Sequence, residues 1–362
     1  MKGIPCSQKM LLEENVPLAP LTTFKLGGPA RYFVEAKTTG EVQEAVVFAG
    51  SKGLPIFVLG GGSNLVVADS GWPGLVLKIA ILGIDQLSEP SHEHQDRILF
   101  DVGAGESWDR FVWNAIRANC AGVECLSGIP GSVGGTPVQN VGAYGQEVAE
   151  TIESVHVLDL KDGQLRELCR EACGFSYRSS IFNTTERGRF VVLRVTYALT
   201  PGGEPRISYA DLKHHFEGRE TPPNLAETRE AVRHIRALKG MLIVPGDPDC
   251  QSAGSFFKNP VLTEEQHEAL KKRASARGLT VPSYPALETH KKISAAWLVE
   301  RSGFTKGFGF GHVGISSKHA LAIVNHGGAT AAEVVALKDQ IQARVEEVFG
   351  VRLEPEPVMV GF

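Results

Sequence analysis

Ala253-Gly254-Ser255-Phe256-Phe257-Lys258-Asn259-Pro260 sets a hydroxyl, a cation and an amide within five residues, just after the turn-rich Pro245-Gly246-Asp247-Pro248-Asp249. A short glycine-containing loop lets the backbone come close to a ligand, so three polar groups can converge on one small anion. Taken alone, the segment reads more readily as a surface turn that happens to contain Ser and Lys. Two glycine-rich stretches upstream tip the balance toward a site.

The first is Gly60-Gly61-Gly62-Ser63-Asn64, between the apolar runs Pro55-Ile56-Phe57-Val58-Leu59 and Leu65-Val66-Val67. A Rossmann fingerprint needs its glycines to open a helix. Here strand character follows, so a pyrophosphate would be held by successive backbone N–H groups in a glycine nest, with Ser63 and Asn64 adding side-chain donors. The alternative is a tight hairpin. The second stretch is Gly128-Ile129-Pro130-Gly131-Ser132-Val133-Gly134-Gly135, which leads to Gln139-Asn140-Val141-Gly142-Ala143-Tyr144-Gly145. Two such loops in a mixed domain suit a long ligand with two phosphates and a flat ring.

The elements that must position these loops follow from periodicity and punctuation. A helix starts at Thr38, strands fall at 55–59, 65–67 and 98–102, and a helix covers 107–119. Strands at 154–160 and 164–168, joined by a Lys161-Asp162-Gly163 turn, precede one at 190–199. An amphipathic helix over 225–239, ending at Gly240, leads into a distinct C-terminal part. That part contains helices at 264–277, 294–302 and 331–349, strands at 311–315 and 320–324, and an extended end at 351–360. The fold class is α+β, with a boundary near Lys239.

A chain of 362 residues is long enough for two or three domains. Its 43% hydrophobic and 22% charged residues speak against disorder. The formal charge of -4 argues against nucleic acid or an acidic membrane surface as the main partner, so an anionic ligand must be met by a local cluster of Arg and Lys. No signal-peptide core opens the chain and no apolar run is long enough to cross a bilayer, which makes a cytoplasmic protein the expectation. The six cysteines match no zinc or redox pattern and read as ordinary thiols. Cys169 and Cys173 fall four apart on an expected short helix, where a metal pair would still need a histidine partner.

Together with Thr22-Thr23-Phe24-Lys25-Leu26-Gly27-Gly28-Pro29-Ala30, the glycine loops and the Gly254-Ser255-Phe256-Phe257 segment resemble the UDP-N-acetylenolpyruvoylglucosamine reductase (MurB) family, from about Val16 to Phe362. The resemblance implies a two-lobed FAD-binding module of the vanillyl-alcohol-oxidase-like (PCMH-type) kind over 1–238, with lobes of about 1–72 and 73–238. A smaller substrate domain over 239–362 follows, its last strand returning toward the flavin. It further implies a non-covalent FAD, NADPH as co-substrate, and reduction of the enolpyruvyl group of UDP-N-acetylglucosamine enolpyruvate to a lactyl group in peptidoglycan precursor synthesis. A monomer is expected.

Site residues carry over one at a time. Arg178, in Phe175-Ser176-Tyr177-Arg178-Ser179, matches the arginine that pairs with the substrate carboxylate, a task suited to a planar guanidinium. Ser255 matches the proton donor. Glu356, in Leu353-Glu354-Pro355-Glu356-Pro357, matches the active-site glutamate and is expected to be buried. Gly60, Gly61, Gly62, Ser63, Asn64, Gly128, Ile129, Ser132, Gly134, Gly135 and Tyr144 are the expected cofactor contacts. Tyr177, Lys239, Asn259 and His319 are expected at the substrate; some relatives have Gln at the position of His319. Tyr209 matches the loop tyrosine that caps the UDP phosphates in the longer of the family's two subtypes. Two rivals stand beside this reading. A flavin oxidase would often tether FAD through His or Cys, which the glycine loops lack, and a non-catalytic nucleotide-sugar binder would not need Ser255 and Glu356 together.

Overall fold

The computed structural model describes residues 10–87, 96–286 and 289–362. Cys6 and most of the segment read for a signal peptide lie outside them. The chain folds into two units. One comprises Ala30–Gly61 and Trp72–Arg236 with the described residues before Pro17; the other comprises Pro17–Pro29, Gly62–Gly71 and Ala237–Phe362.

In the first unit, the Thr38 hydroxyl accepts from Glu41 N–H and starts α1 (Thr39–Ser51), which buries Val42, Ala45 and Ala49. Ile56–Leu59 and Pro29–Ala36 each pair in parallel with Trp72–Ile79. A larger antiparallel sheet runs in the order Leu165–Cys169, Ile152–Asp159, Phe190–Pro201, Ile98–Gly103, Ile84–Leu87. α2 (Trp108–Arg117) buries Trp108, Phe111, Val112, Ala115 and Ile116, a helical spacing that puts the whole apolar stripe into the core. Burial of Phe111, Val112 or Ile116 contributes about 1.5–3 kcal/mol each. Within that core the Trp108 indole donates to Leu126 O at 3.0 Å, and the Thr136 and Tyr197 hydroxyls meet at 2.6 Å. α3 (Ala210–His215) and α4 (Leu225–Leu238) complete the helices; past the end of α4, Gly240 takes φ +63° and its N–H donates to Ala237 O at 3.0 Å.

The second unit carries an antiparallel sheet in the order Ser252–Ser255, Ala322–Asn325, Val313–Ile315, Gly309–Phe310. Its helices are α5 (Glu264–Ser275), α6 (Ala295–Arg301) and α7 (Ala331–Phe349), each opened by a capping hydroxyl from Thr263, Ser294 or Thr330. The Asp69 carboxylate accepts from Ala331 N–H at 2.8 Å and Ala332 N–H at 3.1 Å, placing negative charge at the positive end of α7. Val358–Val360 pairs in parallel with Leu65–Val67.

One sequence expectation is corrected and one alternative reading is set aside. Cys169 and Cys173 do not share a helix: Cys169 ends the strand Leu165–Cys169, whereas Cys173 closes the single turn Glu171–Cys173. The pairing with Ile152–Asp159 holds Cys169 extended, and the left-handed Gly174 ends the turn. The flanks of Gly60–Asn64 do not form a hairpin either, because Ile56–Leu59 and Leu65–Val67 take partners from different parts of the chain. No helix of the described residues is long and apolar enough to cross a membrane.

Candidate active site

The two glycine loops meet backbone to backbone in the first unit. A Cβ placed on Gly61 would lie 2.5 Å from Gly131 Cα and 2.8 Å from Ser132 N, and one on Gly60 would lie 2.7 Å from Ser132 Oγ. Only glycine allows that approach. The Ser132 hydroxyl is buried without a hydrogen-bond partner among the described residues, at a cost of about 1–3 kcal/mol that a ligand acceptor would recover. Gly135, at the end of the turn Val133–Gly135, is exposed, and a Cβ there would meet no protein atom. A ligand built of phosphates and a flat ring fits this donor-rich, side-chain-poor cradle. In the second unit, Gly62 has φ +64° and its carbonyl accepts from Thr23 N–H at 3.0 Å. The Thr23 hydroxyl donates to Ser252 O at 2.7 Å, tying that end of the loop to the strand that carries Ser255.

Asp109 on α2 anchors the start of the second loop. Its carboxylate accepts from Gly128 N–H, takes two bonds of 2.7 Å from Arg229, and receives Arg233 at 3.0 Å. Burial alone would raise the pKa of this carboxyl. The Arg229 and Gly128 hydrogen bonds and the charges of Arg229 and Arg233 outweigh burial and hold it below the usual carboxylate range. One turn further along α4, Arg236 is also buried, and its charge acts on Tyr144. Burial pushes the Tyr144 phenol up to about 12, so it stays a neutral donor. Tyr209 sits at the N-cap of α3 with its ring edge-on to Tyr144, centroids 5.4 Å apart. It is 44% exposed, placing it at the surface rather than in a core.

Arg178 occupies a built turn. Ser176 and Ser179 exchange backbone hydrogen bonds of 2.9 and 3.1 Å, and between them Arg178 takes φ +54°, a left-handed conformation that costs a non-glycine residue about 1–3 kcal/mol. The surroundings impose it: Asn183 donates to Arg178 O at 3.1 Å, Asn140 donates to Ser176 O at 3.0 Å, and Ser180 Oγ donates to Val138 O at 2.6 Å. The guanidinium donates to Gly142 O at 2.8 Å and lies over the Tyr177 ring at 5.4 Å. The continuation of the second glycine loop therefore aims the arginine.

In the second unit, Ser255 ends the strand Ser252–Ser255 and Glu356 is stitched beside it. Glu356 N–H donates to Phe256 O at 2.9 Å, Lys258 N–H donates to Glu354 O at 2.9 Å, and Phe257 bridges Pro355. The Asn64 side chain donates to Glu356 O at 3.2 Å, and Val358 N–H donates to Asn64 O at 2.9 Å. The end of the first glycine loop, the serine loop and the glutamate are thus one hydrogen-bonded assembly. Glu356 is half-buried rather than buried, in a segment that an isolated bridge and single backbone hydrogen bonds, not a regular strand, hold beside the serine loop. Ser255 Oγ lies 3.4 Å from His319 Nε2. Asn259 accepts from Ala295 N–H at 2.9 Å and so also fixes the start of α6; Lys239 follows α4, half-buried.

Two family models match this chain: an FAD binding domain over residues 30–168, and the UDP-N-acetylenolpyruvoylglucosamine reductase C-terminal domain over 247–360. A UDP-N-acetylenolpyruvoylglucosamine reductase from Thermobifida fusca is 46% identical, with 96% of this chain and 97% of that protein covered. The chain belongs to the UDP-N-acetylenolpyruvoylglucosamine reductase family. A relative of the same name from Streptomyces coelicolor is also 46% identical, covering 96% of this chain and 90% of that protein. The solved family structure from Thermus caldophilus superposes with a TM-score of 0.64 at 28% identity, over 97% of this chain and 99% of that one. The chain is therefore an α+β flavoprotein oxidoreductase with an FAD-binding module and a C-terminal domain of this family.

The first unit carries Gly60, Gly61, Gly128, Ile129, Ser132, Gly134, Gly135, Tyr144, Tyr177, Arg178 and Tyr209. The second carries Gly62, Ser63, Asn64, Lys239, Ser255, Asn259, His319 and Glu356. Sequence reasoning missed the supporting residues Asp109, Asn140 and Arg229. Arg229, Arg233 and Arg236 follow helical spacing along α4, a legible sign of cations on one face, but nothing local to them names Asp109 as their partner.

Proposed function

We propose that the protein catalyses the NADPH-dependent reduction of UDP-N-acetylglucosamine enolpyruvate to UDP-N-acetylmuramate, a step in making peptidoglycan precursors, as a cytoplasmic monomer. In this reading residues 1–238 serve FAD and residues 239–362 the substrate, with the C-terminal strand returning to the cofactor side. Backbone donors of Gly60, Gly61, Gly62, Gly128, Ile129, Gly134 and Gly135, with Ser63, Asn64, Ser132 and Tyr144, would hold FAD. When bound, FAD supplies the two-electron hydride chemistry that links NADPH to the carbon–carbon double bond.

The residues of the chain do the rest. Arg178 pairs with the substrate carboxylate and stabilises the enolate that develops there, and Glu356 adds to this as a protonated carboxyl donating a hydrogen bond. Ser255 delivers the proton to the carbon beside that carboxylate; a hydroxyl is a weak acid, but this acceptor is strongly basic. Tyr177, Tyr209, Lys239 and Asn259 hold the nucleotide sugar, with Tyr209 as the cap over its phosphates.

The observation that carries the reading is the backbone stitching of Glu356 to Phe256 and Asn64, which ties the proposed acid, the glutamate and a proposed cofactor loop into one assembly. The test is an anaerobic titration of the purified protein. NADPH should bleach a visible flavin band and the enolpyruvyl nucleotide sugar should restore it, one lactyl product forming per flavin. A band that NADPH bleaches but oxygen alone restores would favour an oxidase.

A further inference from the structure

His319, taken from sequence as a substrate contact, stands in the turn between the strands Val313–Ile315 and Ala322–Asn325. That turn is pinned: Ser316 Oγ accepts from both Lys318 N–H (3.0 Å) and His319 N–H (3.2 Å), and Ser316 N–H donates to Ala322 O (2.8 Å). The imidazole is oriented from both ends. Leu321 N–H donates to Nδ1 at 3.4 Å, and Nε2 lies 3.4 Å from Ser255 Oγ. A ring nitrogen that accepts from a backbone N–H carries no proton, so the neutral ring must carry its proton on Nε2.

We infer that His319 is a positioning residue for Ser255: its Nε2–H donates to the serine Oγ, turns the serine's own proton outward, and stabilises the oxygen as it gives that proton away. The inference rests on the proposed role of Ser255. A serine hydroxyl has one proton and two acceptor lone pairs, and without a fixed partner it rotates freely. A donor on one lone pair leaves the O–H bond to point elsewhere. In the transfer itself, the Ser255 O–H bond breaks and a C–H bond forms on the substrate carbon next to the carboxylate. The hydride on the other carbon would be supplied by the nicotinamide donor through bound FAD, and the serine oxygen keeps the electron pair of the broken bond. That oxygen is held by the Nε2–H donor until it regains a proton from water after product leaves. His319 neither gains nor loses a proton. The 3.4 Å separation is long for a hydrogen bond and is of the kind that shortens when substrate fills a site. The other neighbours fit a device built around the serine. Ser255 pairs with Ala322 across a register shift, so the serine ends a strand beside the start of Ala322–Asn325, the strand into which the pinned His319 turn leads.

The test measures reoxidation of the photoreduced holoenzyme by the enolpyruvyl substrate in four proteins: parent, His319→Leu, Ser255→Ala and the double variant. Removing one donor from an oxygen that gains negative charge should slow reoxidation about 10²- to 10³-fold in His319→Leu. The same substitution should add little to Ser255→Ala, since the histidine acts through the serine. His319→Gln, which keeps an N–H donor at similar reach, should recover most of the loss. Independently of turnover, nitrogen-15 spectra of the oxidised holoenzyme should report His319 as the neutral Nε2–H tautomer, with the Nε2 signal moved by Ser255→Ala. A full further loss in the double variant would overturn the inference and return His319 to direct substrate contact. An Nδ1–H tautomer, or a His319→Leu enzyme at the parental rate, would also overturn it. A Ser255→Ala enzyme at the parental rate would remove the proposed acid itself, a failure visible without reference to His319.

Discussion

Replacing Gly61 with Val tests the loop apposition most sharply, because the geometry sets the size of the effect. The new Cβ would sit 2.5 Å from Gly131 Cα, 2.7 Å from Gly131 C and 2.8 Å from Ser132 N. All three are backbone atoms with no rotamer to yield, and carbon atoms in contact need about 3.5–4.0 Å, so the loops must part by about 1 Å. Overpacking of this kind costs about 1–3 kcal/mol. If the strain falls on the FAD-competent arrangement, affinity for FAD drops about 5- to 150-fold, at about 1.4 kcal/mol per decade. The clash is with the second loop itself, so the loss arises from widening the cradle and not only from blocking the cofactor. Flavin-fluorescence titration of the apoprotein measures the affinity, and circular dichroism shows whether the unit stays folded. Gly135→Ala is the companion, since its Cβ meets no protein atom. It should leave the apoprotein's melting temperature unchanged and weaken FAD only if the cofactor runs along that turn. A folded Gly61→Val protein with parental FAD affinity would refute the reasoning.

Two further perturbations separate charge from geometry. Arg178→Lys should keep flavin reduction by NADPH but slow reduction of the enolpyruvyl substrate by about 10-fold or more, because an ammonium cannot reproduce a planar two-point contact. Equal rates for Lys and Arg, measured in the second half-reaction, would mean that only diffuse positive charge is needed. Asp109→Asn should lower stability at neutral pH by about 2–3 kcal/mol by leaving Arg229 and Arg233 short of their carboxylate. Asp109 has a depressed pKa in the folded state, so its contribution is full above the unfolded value of about 4 and is lost as pH falls through the folded one. Denaturant midpoints of parent and variant should therefore begin to converge as pH falls below about 4 and close up as it passes the folded pKa. A gap that stays constant down to pH 2 would contradict the ion-pair account.

Legibility in the sequence followed how local each cause was. The helix over 331–349 was readable to its ends because Thr330 and Glu333 form a capping box and Gly350 takes the left-handed conformation that stops it. The strand, loop, strand order around Gly60–Asn64 was equally readable, but a hairpin remained open. The parallel partner of Leu65–Val67 lies at Val358–Val360, and no local pattern announces a pairing so distant in sequence. The same holds for the support of Arg178. Asn140 makes three hydrogen bonds, to Glu147, Ser176 and Ala149, and only folding brings these groups around one amide. Cys169 and Cys173 were misplaced because spacing suggested a helix, whereas pairing with Ile152–Asp159 holds the first of them extended.

The central claim, a flavin reductase whose Ser255 protonates the substrate, is tested most directly by anaerobic stopped-flow on the flavin band of Ser255→Ala. Its two half-reactions are read separately. Reduction by NADPH should proceed at close to the parental rate, because hydride delivery needs no proton from this hydroxyl. Reoxidation by the enolpyruvyl nucleotide sugar should slow by about 10²- to 10⁴-fold, the scale of losing a positioned general acid. A variant slowed in the first step and normal in the second would contradict the account.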